Sequence, residues 1–118
     1  MIDHVAIPVS DLESSRRFYE PLLTKLGAKV VMEFPGVVIF GTDDGMVALR
    51  ESEQVAPHHV AFKADRSGVD SFFAAAVAAG ASENGPPGVR SDIHENYYAA
   101  FVIDADGHNI EAVCHRPE

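Results

Sequence analysis

The chain says nearly the same thing twice. His4-Val5-Ala6-Ile7 returns as His59-Val60-Ala61-Phe62, an offset of 55 in a chain of 118 residues. Phe18 falls on Phe73 at the same offset, and Leu26-Gly27-Ala28 answers Ala79-Gly80-Ala81 after a two-residue slip. Asp44-Gly45 precedes the last apolar run of the first half, as Asp106-Gly107 does in the second. Such a repeat predicts two copies of one supersecondary unit, each too small to bury its apolar face alone. The expected organisation is a single domain over residues 1–118, with module 1 at about 1–53 and module 2 at about 57–116. A histidine opens both copies. An internal pseudo-twofold would bring His4 and His59 towards one another, a natural way to begin a metal site.

Charge narrows the partners. A net charge of -9 argues against nucleic acid and against an anionic membrane, since neither attracts an acidic surface. Hydrophobic content of 47% with 23% charged residues is that of a soluble globular protein. The lone Cys114 has no partner for an intramolecular disulfide, which suits a reducing cytoplasm. No basic, apolar leader opens the chain, and no stretch reaches the length of a membrane span. The expectation is a cytoplasmic protein.

Periodicity supplies the elements. Residues 2–9 read as a strand with His4 and Ala6 on one face and Val5, Ile7 and Val9 on the other. Ser10 to Glu13 resembles a capping box with Ser10 as N-cap. A helix follows to about Leu26, burying Leu12, Phe18, Leu22 and Leu26; Pro21 is expected to kink it or split it into two turns, and Gly27 to end it. Strands near 29–33, 37–40 and 46–51 complete the first unit, with turns at Pro35-Gly36 and Asp43-Asp44-Gly45. The second unit restarts at Pro57. It has a strand over 58–64, a helix capped near Ser67 that carries Val69, Phe72, Phe73, Ala76 and Val77 inward, and a hairpin over 97–113. Between them Asn84-Gly85-Pro86-Pro87-Gly88 interrupts regular structure, and the irregular stretch reaches Asn96. A long loop in so small a domain is more often functional than idle.

Three motifs carry a family resemblance. They are His4-Val5-Ala6-Ile7 with Val9-Ser10-Asp11-Leu12 and Phe18-Tyr19; His59-Val60-Ala61-Phe62; and Tyr97-Tyr98-Ala99-Ala100-Phe101 running into Asp104-Ala105-Asp106-Gly107-His108-Asn109-Ile110-Glu111. End to end, the chain resembles the vicinal oxygen chelate superfamily of glyoxalases, extradiol dioxygenases, fosfomycin transferases and bleomycin resistance proteins. The resemblance implies an α+β fold of paired βαβββ modules whose sheets form a curved half-barrel around a metal. It matches the family's metal ligands to His4, His59 and Glu111. Two imidazoles and one carboxylate suit Zn(II), Ni(II), Mn(II), Co(II) or Fe(II) and leave positions open for water and substrate. The fourth, glutamate ligand of glyoxalase I falls on Ala48 or Leu49, neither of which binds metal, so the set looks more like that of the dioxygenases and fosfomycin transferases.

The resemblance bears on the tyrosines, and the loop and the remaining histidines are read from the residues themselves. In the Tyr-Tyr-Ala-Ala-Phe pattern Tyr98 is expected to face the site, with Tyr97 pointing away. In the loop, His94 is a candidate proton shuttle and Arg90 a candidate anion clamp; Glu111, Tyr98 and His94 are thus the candidate catalytic residues. His58, His108 and His115 read as structural or exposed. Three functions fit: a metal-dependent enzyme of lyase, isomerase or thiol-transferase type on an oxygen-chelating substrate, an Fe(II) ring-opening dioxygenase, or a metal-free binding or resistance protein. The family habit of burying an open sheet between subunits implies a homodimer.

Overall fold

The computed structural model describes residues 1–117. In the first half β1 (His4–Val9), α1 (Leu12–Thr24), β2 (Lys29–Phe34), β3 (Val37–Thr42) and β4 (Gly45–Glu51) follow one another. In the second, β5 (His59–Lys63) and α2 (Arg66–Ala78) lead through β6 (Ser82–Glu83) and β7 (Gly88–Val89) to the hairpin β8 (Tyr98–Ile103) and β9 (Asn109–Cys114). β1 runs parallel to β4, and the first sheet has the order β1-β4-β3-β2. β5 runs parallel to β9, and the second has the order β5-β9-β8-β6, with β7 also on β8. Two helices and two open, mixed sheets make the expected α+β fold. The place of β2 is taken in the second half by two fragments, because Asn84-Gly85-Pro86-Pro87 breaks that strand where prolines cannot donate to the ladder. Regular pairing resumes at Gly88–Val89, inside the stretch read as irregular.

Both helices start on aspartate. Asp11, not Ser10, caps α1, its carboxylate accepting from Ser14 N at 3.0 Å. Asp65 caps α2 by accepting from Gly68 N at 2.6 Å, upstream of the expected start. An aspartate that reaches the backbone N–H three residues on satisfies an orphan donor and carries charge favoured by the helix dipole. Pro21 sits inside an unbroken α1, so it does not split the helix.

Period two decides the faces of the sheets. Ile7 and Val9 are fully buried in the core, while His4 and Ala6 are exposed on the opposite face. Helix α1 buries Tyr19, Leu22 and Leu23 more deeply than Phe18, and α2 buries Val69, Phe72 and Ala76 while Val77 stays exposed. The helices pack against one another, so the apolar faces of both sheets close on one shared core.

A polar clamp joins the halves. The turn between β8 and β9 lies against β1 and α1. Asp104 Oδ1 accepts from Asp106 N at 3.0 Å and His108 N at 2.8 Å, while its Oδ2 accepts the Tyr19 hydroxyl. His108 is fully buried: its Nδ1 accepts from His58 N at 2.9 Å and its Nε2 donates to Pro8 O at 2.7 Å. Asp106 Oδ2 accepts from Ser10 N at 3.1 Å. Burial, with the Asp104 carboxylate beside it, drives the Tyr19 phenol far above its ordinary value, so it stays a donor.

Removing a buried group that satisfies two backbone partners strands both. His108→Ala is therefore expected to cost about 3 kcal/mol and to lower Tm by on the order of 10 °C. His58→Ala, at an exposed ring, should stay within about 0.5 kcal/mol. Chemical and thermal denaturation of the two variants against the wild-type chain measure the difference.

Candidate functional site

One face of the second sheet gathers the polar groups. Alternation along β5 puts His59 and Ala61 on the same side, and the parallel register sets Ala61 beside Glu111. The antiparallel register sets Glu111 beside Phe101, so Phe101 shares that side. Tyr97, two residues before Ala99, has the same parity, and its hydroxyl donates to Glu111 Oε2. His59 Nε2 lies 3.0 Å from Glu111 Oε1, and the His59 ring stacks on Phe101 with centroids 6.4 Å apart and planes 21° apart. The Glu111 side chain is 2% exposed, whereas that of His59 is 50% exposed. The carboxylate is thus held at the bottom of an open face.

Hydrogen bonding sets the tautomer of His59. Its Nδ1 lies 2.9 Å from Asn109 O, which can only accept, so Nδ1 carries the hydrogen. The Nε2 lone pair then points at Glu111, and either a proton or a cation must lie between them. A separation of 3.0 Å is that of two adjacent ligands on one ion, each at roughly 2.1 Å. Fixing the far ring nitrogen on a carbonyl is how metal-bound histidines are oriented. The pair fits a divalent cation.

His4 occupies the equivalent position in the first sheet. Its Nδ1 lies 2.7 Å from Asp3 Oδ1, and among the described residues Nε2 has no hydrogen-bond partner. The register there sets Ala6 beside Ala48, as Ala61 stands beside Glu111. Of the two candidates for the missing glutamate position, Ala48 is therefore the counterpart of Glu111, and Leu49 is a core residue. Within a single chain the candidate ligands form two clusters, His4 with Asp3 and His59 with Glu111. Among the described residues the one group of three with ligand atoms within 4.8 Å of one another is Asp104, Asp106 and His108. That group is the clamp. The Nδ1 lone pair of His108 is taken by His58 N and its Nε2 hydrogen by Pro8 O, so the imidazole has nothing left for an ion.

The tyrosines reverse the expected assignment. Tyr98 points to the helix side, where its hydroxyl donates to Asp70 Oδ1 at 2.5 Å and Arg66 lies 4.7 Å over its ring. Its phenol is raised above the ordinary value, chiefly by the bond to Asp70. The reason is parity: Tyr98 alternates with Ala99, and Ala99 is on the Phe101 side. His94 is near the site but does not touch Glu111. Its Nε2 lies 2.9 Å from His115 Nδ1, and its ring meets Tyr97 edge-on with centroids 5.1 Å apart. Asn96, with a φ of 63°, makes the left-handed turn that returns the chain to Tyr97. Arg90 lies over Phe101, its guanidinium carbon 5.6 Å from the ring centroid. Phe101 and His115 were absent from the sequence-derived site. Counting alternate residues back across the hairpin from Glu111 finds Phe101 and Tyr97; no local signal marks His115.

Comparison with known proteins places this fold. The family model described as Glyoxalase/Bleomycin resistance protein/Dioxygenase superfamily matches residues 1–112. A glyoxalase/bleomycin resistance protein from Albidiferax ferrireducens T118 superposes with a TM-score of 0.87 at 30% identity, over 97% of this chain and 98% of that one. TioX from Micromonospora sp. ML1 has a TM-score of 0.78 at 18% identity, over 98% and 99% of the two chains. Oxidase ChaP-H2 has 0.73 at 22%, over 99% and 94%. No curated protein matches the sequence closely enough to count as a relative.

Tyr97 makes a testable donor. Desolvation, then the bond to Glu111, pushes its pKa up to about 12. A raised tyrosine favours folding in its neutral form. That contribution is fully present below the ordinary value of 10 and is lost as pH rises from there through about 12. All three tyrosines are raised, so spectrophotometric titration should show less tyrosinate at pH 10 in the folded chain than in the unfolded one. Tyr97→Phe should remove the step near 12; its persistence would place that step elsewhere.

Proposed function

The chain belongs to the Glyoxalase/Bleomycin resistance protein/Dioxygenase superfamily, and from that premise we propose that it is a metal-dependent enzyme acting on a small substrate that chelates the ion through adjacent oxygens. The observation that carries this reading is the His59–Glu111 pair: an imidazole of fixed tautomer aimed at a buried carboxylate 3.0 Å away, beneath an open face. His59 and Glu111 would hold a divalent ion, with His4 as the third ligand. A bound ion of this kind acts as a Lewis acid on the substrate's oxygens.

The protein's own groups have separate tasks. The Tyr97 hydroxyl occupies one oxygen of Glu111, which keeps the other turned to His59. As its phenol keeps its proton at neutral pH, Tyr97 remains a donor throughout turnover. Phe101 supplies an apolar floor beside His59 for the body of the substrate. His94, linked to His115 and resting on the Tyr97 ring, is the group on the loop placed to pass protons between this face and water.

The third ligand implies a second copy. β1 and β5 are both edge strands, and each carries its histidine at its start. An edge with unpaired backbone groups is a template for another chain. A homodimer in which β1 of one copy lies beside β5 of the other supplies His4 to the His59–Glu111 pair. The absence of a carboxylate at Ala48 then leaves each site with two imidazoles and one carboxylate, a set suited to Fe(II), Zn(II), Ni(II), Mn(II) or Co(II).

Mixing experiments test ligands and assembly together. His4→Ala, His59→Ala and Glu111→Ala should each lower metal content at least tenfold, measured by elemental analysis, with circular dichroism unchanged. Co-purified hybrids of His4→Ala with His59→Ala should regain one intact site per dimer. If the hybrids stay as empty as their parents, sites shared between copies are ruled out. Metal content unaffected by all three variants ends the metal reading.

A further inference from the structure

Arg90 has a position that the clamp, the fold and the metal ligands leave unused. Its guanidinium rests over Phe101, the same ring on which His59 stacks, so it belongs to the face that carries Glu111. The seat is built for it. A Cβ added at Gly85 would come within 3.1 Å of its Nη2, and one at Gly88 within 3.0 Å of its Nη1. Pro86 O accepts from Nη2 at 2.5 Å. Two glycines, a carbonyl and an aromatic face thus hold a half-buried guanidinium in one place, where a loose surface arginine would sample many.

The charge on it is not neutralised. The chain has 18 acidic residues against 9 lysines and arginines, yet among the described residues Arg90 makes no ion pair. Among the described residues, only one of its five N–H donors meets a protein acceptor. A fixed planar fork with free donors matches a carboxylate, which accepts two parallel hydrogen bonds from it. We propose that Arg90 is the anion anchor of this site and that the substrate carries a carboxylate, set apart from its chelating oxygens by an apolar body that lies on Phe101. This rests on the metal-dependent reading of His59 and Glu111 for the chelating end, and on Arg90 alone for the anionic end.

Matched probes separate the two ends. In calorimetry on the zinc-loaded chain, 3,4-dihydroxybenzoate should bind at least tenfold more tightly than catechol, which has the same chelating oxygens without the carboxylate. Arg90→Gln should erase that advantage and leave catechol affinity unchanged, with Arg90→Lys in between. Gly88→Ala crowds the guanidinium while keeping its charge, and should reduce the advantage severalfold in a chain whose circular dichroism is unaltered. Equal affinity of the two probes for the wild-type protein, or an advantage that survives Arg90→Gln, would overturn the anchor. Failure of the metal reading looks different: catechol then binds zinc-loaded and metal-free protein alike. Benzoate on the metal-free chain reads the anchor by itself, upholding it if Arg90→Gln abolishes binding and overturning it if benzoate does not bind.

Discussion

Everything in this fold hangs on the turn between β8 and β9 lying against β1. Asp104 and His108 are buried there with each polar atom partnered, and their partners come from both halves: Tyr19 and Pro8 from the first, His58 and the turn itself from the second. Buried polar groups of this kind tolerate few alternative arrangements, because any slip strands several donors and acceptors at once. The apolar faces of the two sheets supply most of the free energy of folding; the clamp selects which packing of the halves receives it.

The clamp also sets the site. His108 is fixed at both ring nitrogens, and the next residue, Asn109, enters β9 with its N–H on His58 O at 2.8 Å. From that point the parallel ladder admits one register, in which Asn109 lies beside His59 and Glu111 beside Ala61. A shift of a single residue would turn Glu111 into the core. The hydrogen bond from His59 Nδ1 to Asn109 O belongs to the same register. Stability and chemistry share a few consecutive residues, which is why a substitution at His108 is expected to disturb Glu111 as well.

Much of this was legible in the sequence. The internal echo foretold two units with a histidine opening each, and alternation put His4 on the face opposite the buried Ile7 and Val9. The three-residue offsets at Asp11-Ser14 and Asp65-Gly68 were present in the sequence too, but serine-led patterns at Ser10 and Ser67 competed with them and differ by only one or two positions. The tyrosine assignment failed because it followed a motif and not a count: parity from Glu111 across the hairpin selects Tyr97 and Phe101. What no local pattern encodes is long-range docking. The seat of Arg90 needs Gly85, Gly88 and Phe101 brought together by a strand that prolines have broken, and the pairing of His94 with His115 joins a loop to the end of β9.

The two halves differ where the chemistry lies. They agree in helix placement, parallel ladder and opening histidine, and those features build the frame. They part at Ala48 against Glu111, at the continuous β2 against the fragments β6 and β7, and at the tight turn before β4 against the longer, clamped turn before β9. Each departure gives the second half something the first lacks: a carboxylate on its open face, a gap into which Arg90 folds, and a buried anchor that holds the register. The first half keeps its histidine with Asp3 beside it and no carboxylate on its own sheet face to meet it. A repeat that has diverged in this way leaves one half with a histidine–carboxylate pair and the other with a histidine alone on its sheet face. On the metal-dependent reading proposed above, the pairing of β1 with β5 between two copies is the arrangement that would bring the two together.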